Sequence, residues 1–338
     1  MRALVWEGPR SMQLREQALP QPAADEALIR VAYAGICGSE LGAYLGHNKL
    51  RVPPLVMGHE FSGTIAALGS AAAGSLQVGD AVAINPLSGC GSCDACRRGD
   101  GHLCLKRALV GAHRAGAYAE YVTVPLRGLQ PLPVGLDLRA AALAEPAAVA
   151  VRIVVLLGDV AGETILIAGA GPIGLLVLQL LRRAGAAQVF VSDLVDERLA
   201  MVTELGGIAL NAGRDDVAAT VRGATAGIGC AGSVDAVGAT PARAACVAAT
   251  RNAGTLVLSG LHEEVGPIPA ADVIRRELVL RGSFAYRPAD FEVAVRLLAE
   301  GALRLDPWIV EDELAAGDRW FQALIDAPGP VAKVLLRP

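Results

Sequence analysis

Hydrophobic and polar positions divide the chain into two regimes. Through the first 125 residues the apolar runs are short and alternate with polar positions. ALVWE begins at residue 3, EALIRVAYAGI at 26, GTIAALG at 63, AVAINP at 81 and AEYVTVP at 119, with Gly, Pro and Asp between them. A period of two bounded by turn residues predicts an irregular, mostly antiparallel β domain. An apolar stretch from about 145 to 157 predicts a helix that bridges to a second domain. There, buried-strand runs at 164–168, 188–192, 208–211, 233–237, 254–259 and 278–283 alternate with helical stretches. Helices are expected after Gly171 and at 196–205, 214–223, 241–250 and 269–276. This alternation predicts an α/β, doubly wound parallel sheet. Past residue 284 the pattern predicts helices at 288–300 and near 311–325 and a last strand at 332–336, returning to the first domain. The expected domains are 1–150 with 286–338, and 151–285.

The first strand of the second region runs straight into Gly169, Gly171 and Gly174, a G-x-G-x-x-G with Pro172 in the first helical turn. The following strand ends at Asp193, 24 residues after Gly169. Glycines of this kind let a backbone approach a pyrophosphate at a helix N-terminus, and an acidic residue at this distance meets the adenosine ribose. Strand, turn, helix, strand and Asp together read as a dinucleotide site. A carboxylate at Asp193 bonds ribose hydroxyls and repels a 2′-phosphate, so NAD is favoured over NADP. Arg198 lies along the adenine or ribose, or is an exposed helix arginine. Ligands in such sheets contact the carboxyl ends of strands. Here those are Val237–Gly238, Ser259–Gly260–Leu261 and the Ser283, Phe284, Ala285 turn.

Seven cysteines are present, and four of them, Cys90, Cys93, Cys96 and Cys104, fall within GCGSCDACRRGDGHLC. Four thiolates on a short Gly-rich loop of about 88–106 close a tetrahedral zinc shell. An iron–sulfur cluster begins with similar spacing but typically ends in Cys-Pro, and Leu105 follows Cys104. Four reduced thiols without a metal remain the plain alternative. His102 inside this lobe is expected to be a solvated loop histidine. A second set is dispersed: Cys37 in AGICGSE, His59 and Glu60 in VMGHEFSG, Glu145 in LAEPAAV. Cys, His and carboxylate are the ligand types zinc accepts.

Composition narrows the class. The chain has 338 residues, 53% of them hydrophobic, enough for two domains with real cores. A net charge of −4 argues against a nucleic-acid partner. No long apolar run follows Arg2 and no run reaches membrane-spanning length, so neither a signal peptide nor a membrane partner is expected, and the cytoplasm is the expected location.

In GICGSE, GHEFSG, the four-Cys lobe, GAYAEYV, LAEPAAVA, GAGPIG, SDLVDERL, GSFAY and KVLLRP the sequence resembles a zinc-dependent medium-chain dehydrogenase/reductase of the alcohol dehydrogenase superfamily, of the sorbitol (polyol) and threonine dehydrogenase type. The resemblance covers essentially the whole chain. It implies a GroES-like catalytic domain, a Rossmann domain and a cleft between them. It implies two zinc ions per chain, NAD, a small alcohol or ketone substrate, and a homotetramer or dimer. Cys37, His59 and Glu60 match its catalytic zinc ligands, and Glu145 a carboxylate that ligates zinc or holds its water. Ser39 matches the hydroxyl that relays the alcohol proton, and the four-Cys lobe its structural zinc. Ile173, Asp193, Arg198 and the 259–261 and 283–285 turns match its NAD contacts. Tyr44, His47, Tyr118, Glu120 and Tyr286 are pocket candidates on the same ground, or else ordinary packed or solvent-exposed residues. Two positions depart from the pattern. Gly42 stands where relatives often carry a relay His, which His47 could replace. Glu40 stands where they often carry the Asp that orients the zinc-bound His. Three activities follow: a polyol, sugar-alcohol, sugar-phosphate or cyclitol dehydrogenase; a threonine-type amino-alcohol dehydrogenase; or a non-catalytic NAD-binding member of the fold.

Overall fold

The computed structural model describes every residue except Ser75 and Pro328. The chain divides into two compact units, Met1–Ala148 with Arg287–Pro338, and Val149–Tyr286. The division falls inside the helix Ala144–Leu157.

The first unit is built on two main β-sheets and a two-stranded one, Leu87–Ser88 with Ala108–Leu109. Arg2–Gly8 pairs with Ser11–Glu16 and with Leu55–Val56. The larger sheet runs Leu129–Pro131, Ala81–Ile84, Glu60–Leu68, Glu26–Gly35, Lys333–Arg337, Ile309–Glu313, and Tyr121–Pro125 also pairs with Glu26–Gly35. Its pairings are antiparallel except that of Ile309–Glu313 with Lys333–Arg337. Inward positions such as Trp6, Ile29, Phe61, Ile65, Val122 and Phe321 form one apolar core. The helix expected near 311–325 starts later. Residues 309–313 are strand, Leu314–Ala316 is a 3₁₀ turn, and the helix is Gly317–Asp326. The run IVEDE takes its hydrogen bonds from Lys333–Arg337, a partner that local periodicity does not reveal.

The second unit is a single parallel sheet of β1 (Thr164–Ala168), β2 (Gln188–Asp193), β3 (Ile208–Asn211), β4 (Cys230–Asp235), β5 (Thr250–Leu258) and β6 (Val279–Gly282). The spatial order is β3-β2-β1-β4-β5-β6. This is the doubly wound order that reverses beside β1. Intervening helices are Pro172–Arg183, Asp196–Glu204, Val217–Ala224, Thr240–Ala249 and Ala270–Arg275. Register sets Ala168 opposite Asp235, Asp235 opposite Leu258, and Leu258 opposite Gly282. The residues following these four therefore line one edge of the sheet. Among the described residues no helix is long and apolar enough to cross a membrane.

Candidate active site

Three strands of the first unit meet at Gly35. It lies opposite Glu60 on one side and opposite Leu335 on the other. The chain then leaves the sheet, and Cys37 becomes the N-cap of the helix Gly38–Tyr44. This register brings Cys37, two residues past Gly35, beside His59, one residue before Glu60. Their donor atoms (the Cys37 sulfur, a His59 ring nitrogen and a Glu60 oxygen) all lie within 4.8 Å of one another. Gly35 has no space for a side chain, since a Cβ would stand 2.5 Å from Glu60 Oε2. Gly58 turns the chain into His59 at φ +101°, where a Cβ would meet the Tyr118 backbone nitrogen at 2.8 Å.

Glu40 is the centre of the support. Its Oε1 lies 2.8 Å from His59 Nδ1 and accepts the Gly58 N–H at 2.8 Å. Its Oε2 accepts the Cys37 N–H at 3.2 Å and the Tyr118 hydroxyl. The side chain longer than Asp thus reaches the histidine. Burial pushes the Glu40 carboxyl up, but His59, Arg51 and Tyr118 outweigh it and hold its pKa at about 2. Burial pulls His59 down, and Glu40 and Cys37 outweigh that, raising its pKa well above the usual value. A carboxylate on Nδ1–H leaves Nε2 as the free ring nitrogen, the arrangement of a metal-ligating histidine.

Two cations that sequence reasoning missed complete the cluster. Lys333 Nζ donates to Glu60 Oε2 at 2.5 Å and to the Ile36 carbonyl at 2.9 Å, with its side chain 2% exposed. Arg51 is as deeply buried beside Glu40, at 3.9 Å. The only sequence signal for Lys333 was a lysine within an apolar terminal strand, and Arg51 gave none. Glu145 is buried at the start of its helix, outside the 4.8 Å trio. Burial lowers the Lys333 pKa, while Glu60, Cys37 and Glu145 outweigh it. One S, one N and one O donor converging within 4.8 Å fits a zinc ion.

Ser39 is exposed at the start of the helix, its Oγ 3.5 Å from Cys37 Sγ. His47 is exposed on the segment after that helix. The pocket reading of four residues is corrected. Tyr44 is fully buried and donates to Asp318 Oδ1 at 2.9 Å. Tyr118 is fully buried on Glu40, Glu120 pairs with Arg2 at 2.9 Å, and Tyr286 is 2% exposed. They are framework.

The sulfurs of Cys90, Cys93, Cys96 and Cys104 also lie within 4.8 Å of one another. Cys93 and Cys104 are 3.7 Å apart, Cys90 and Cys96 4.0 Å. Four sulfurs at zinc–sulfur bond length in a tetrahedron would be about 3.8 Å apart, and a disulfide about 2.05 Å. The short strands Leu87–Ser88 and Ala108–Leu109 close the lobe. His102, expected to be solvated, is buried at 4% exposure, folded under a 3₁₀ turn by the same closure.

In the second unit the glycines serve different ends. Gly169 has φ +104°, and a Cβ on Gly174 would strike the Gly169 carbonyl. Gly171, the N-cap of the helix with Pro172, Ile173 and Gly174, has open space at its Cβ position. That is the cradle a pyrophosphate needs. Asp193 Oδ2 accepts the Ala170 N–H at 2.7 Å, which ties β2 to this turn. Arg198 lies half-buried on the following helix. Asp235 shapes the next turn: its Oδ1 accepts from Val237 and Gly238. Its backbone carbonyl accepts from Ser259 and Gly260 at 2.9 and 2.8 Å. The Ser283 N–H bonds the Leu258 carbonyl, and Leu261 and Phe284 are exposed at the same edge, with Ala285 at φ +47°.

Residues 23–134 match the alcohol dehydrogenase GroES-like domain, and residues 172–300 the zinc-binding dehydrogenase family. The 2-dehydro-3-deoxy-L-galactonate 5-dehydrogenase of Pseudoalteromonas atlantica is 35% identical over 91% of this chain and 90% of its own. The chain belongs to the zinc-dependent medium-chain alcohol dehydrogenase family. Among other members, the D-arabitol-phosphate dehydrogenase of Enterococcus avium is 33% identical over 90% of this chain and 88% of its own. The rspB alcohol dehydrogenase of E. coli CFT073, complexed with NADH, superposes with TM-score 0.92 at 29% identity, covering 100% of this chain and 99% of that one. Within this alcohol dehydrogenase family the expected GroES-like and doubly wound domains are borne out, as are zinc and NAD(P) as cofactors. The activity is oxidoreduction of a secondary alcohol and ketone, and relatives include proteins named as dehydrogenases of a sugar acid, a polyol phosphate and sorbitol.

Proposed function

We propose that this chain oxidises one secondary hydroxyl of a polyhydroxylated substrate (a polyol, sugar acid or sugar phosphate) with NAD. The observation that carries the reading is the trio of Cys37, His59 and Glu60 with its buried supporting charges. Cys37 Sγ, His59 Nε2 and the Glu60 oxygen not held by Lys333 would hold the catalytic zinc, with Glu145 nearby, and Cys90, Cys93, Cys96 and Cys104 the structural one. Bound there, zinc supplies a Lewis acid that acidifies the alcohol, and nicotinamide supplies the hydride acceptor. The chain's own groups do the rest. Glu40 fixes the His59 tautomer, and Lys333 restrains Glu60. Ser39 takes the alcohol proton. The turns at 169–174, 237–238, 259–261 and 283–285 hold the dinucleotide, and Asp193 favours NAD over NADP.

We infer a homo-oligomer in the cytoplasm. The seven free thiols suit a reducing compartment. The outer strand β6 of the sheet, with Val279 41% exposed, suits pairing with a second copy. The test is NAD reduction by the zinc-loaded protein with sorbitol, xylitol, L-galactonate, a polyol phosphate and L-threonine. Turnover of a polyol, sugar acid or polyol phosphate, lost in Cys37→Ala, supports the reading. Turnover of L-threonine alone moves the chain to the amino-alcohol class, for which a relative named L-threonine 3-dehydrogenase speaks. No turnover with two zinc ions bound sinks it.

A further inference from the structure

Arg51 precedes the strand Leu55–Val56, and its side chain is 1% exposed. A guanidinium this buried has its donors committed. Nε donates to the Gly111 carbonyl at 3.0 Å, which fixes the plane of the group. Nη2 then lies 3.4 Å from Ser39 Oγ, 3.4 Å from His59 Nδ1 and 3.9 Å from Glu40 Oε1. The hydrogen on His59 Nδ1 is engaged with Glu40 at 2.8 Å, so that nitrogen offers Arg51 no lone pair. Of the remaining acceptors, Ser39 Oγ at 3.4 Å is nearer than Glu40 Oε1 at 3.9 Å. Meanwhile Gly42 presents nothing to Ser39: a Cβ there would meet no atom within 4 Å.

We propose that Arg51 is the positioning residue of Ser39. Donation from Nη2 occupies one lone pair of Oγ and holds the hydroxyl in a single orientation. The second lone pair then faces the substrate O–H. As that O–H bond breaks, a new Oγ–H bond forms. The hydrogen Ser39 carried before, which rests toward Cys37 Sγ at 3.5 Å, rotates to water and leaves. Arg51 neither gains nor loses a proton, because a guanidinium stays charged. The electron pair of the C–H bond would go to the nicotinamide of the dinucleotide proposed above. The fixed cation beside Oγ also favours negative charge as it develops there, without reorganisation. On this account Ser39, itself exposed, hands its proton straight to solvent, and no second side chain is needed after it.

The inference rests on the proposed role of Ser39, and its test separates the two. Arg51→Gln, Arg51→Lys, Ser39→Ala, His47→Gln and the Arg51→Gln/Ser39→Ala double variant are compared with the wild-type holoenzyme. The assay uses the best alcohol of the panel above, with zinc content measured on each sample. Arg51→Gln is expected to lower kcat by about tenfold to a hundredfold, with KM within about threefold and both zinc ions retained. Arg51→Lys recovers part of the rate. In the Ser39→Ala background Arg51→Gln lowers kcat by less than about threefold further. Additive losses, or loss of a zinc ion in Arg51→Gln, overturn the proposal, because Arg51 would then act through His59. A fall in His47→Gln as deep as in Arg51→Gln overturns it too. If the wild type turns over nothing on the panel, the substrate reading has failed. The Ser39–Arg51 coupling is then read from urea unfolding of the four cycle proteins, where sub-additive losses support the contact and additive losses refute it.

Discussion

Cys90, Cys93, Cys96 and Cys104 lie within fifteen consecutive residues, whereas Cys37, His59, Glu60 and Lys333 span almost the whole chain. The four-sulfur lobe gathers its donors through one tight loop and a short hairpin, and three of its four cysteines are partly exposed. The mixed cluster is gathered by strand register at Gly35 and is wrapped in buried carboxylates and cations. The difference follows from chemistry. Four equivalent thiolates around one ion form a closed shell with no place for a substrate. A site that must bind an alcohol keeps unlike donors. Each then needs its own restraint: Glu40 on His59, Lys333 on Glu60, Arg51 on Ser39.

The comparison breaks first at the metals. Cys37→Ala should lower kcat by at least about a thousandfold and reduce zinc from two ions to one per chain, leaving the thiol lobe filled. Cys96→Ala should lose the other ion and lower Tm. If either variant lost both ions in elemental analysis, the clusters would not be independent. Next comes Lys333→Met. It leaves the buried Glu60 without its cation and should destabilise the zinc-free protein by roughly 3–5 kcal/mol in urea unfolding. Added zinc should recover part of that. A loss under about 1 kcal/mol would show that the pair carries no weight. Tyr118→Phe removes one hydrogen bond to the Glu40 carboxylate, and about 1.5–3 kcal/mol is expected on the same measurement. The smallest effect lies in the lobe. Arg287 pairs with Asp100 at 2.8 Å with its side chain 45% exposed. Arg287→Ala should change stability by less than about 1 kcal/mol. A larger change would mean that the lobe also depends on charge support.

The same contrast governs what was legible in the sequence. The lobe, the glycine turn and Asp193 are local, and spacing alone exposes them. The six parallel strands were legible by their short apolar segments, although β5 begins at Thr250, before the expected 254, through the polar residues TRN. Cys37, His59 and Glu60 were recognisable by type and by resemblance, yet nothing local says that Gly35 and Glu60 are register partners. Lys333 and Arg51 escaped because Lys and Arg are ordinarily surface residues, and only tertiary burial distinguishes them. Glu311 and Asp312 were read as helix for the same reason, since the strand they belong to exists through its partner. His102 looked solvated because its neighbours are polar and glycine-rich. Tyr44 and Tyr118 looked like pocket residues because an aromatic hydroxyl reads equally as a substrate contact or as a core anchor.

Lys333 also sets an order of events during synthesis. A ribosome makes the chain from its N-terminal side, so Cys104 is in place 229 residues before Lys333 is added. The thiol lobe then has all its donors. The mixed cluster has Cys37, Glu40, Glu60 and Glu145 early but lacks the strand that carries its ammonium until Lys333–Arg337 is made. Until that strand is made Glu60 has no ammonium to meet, so the buried Lys333–Glu60 contact closes the cluster only after both sheet partners of Gly35 exist.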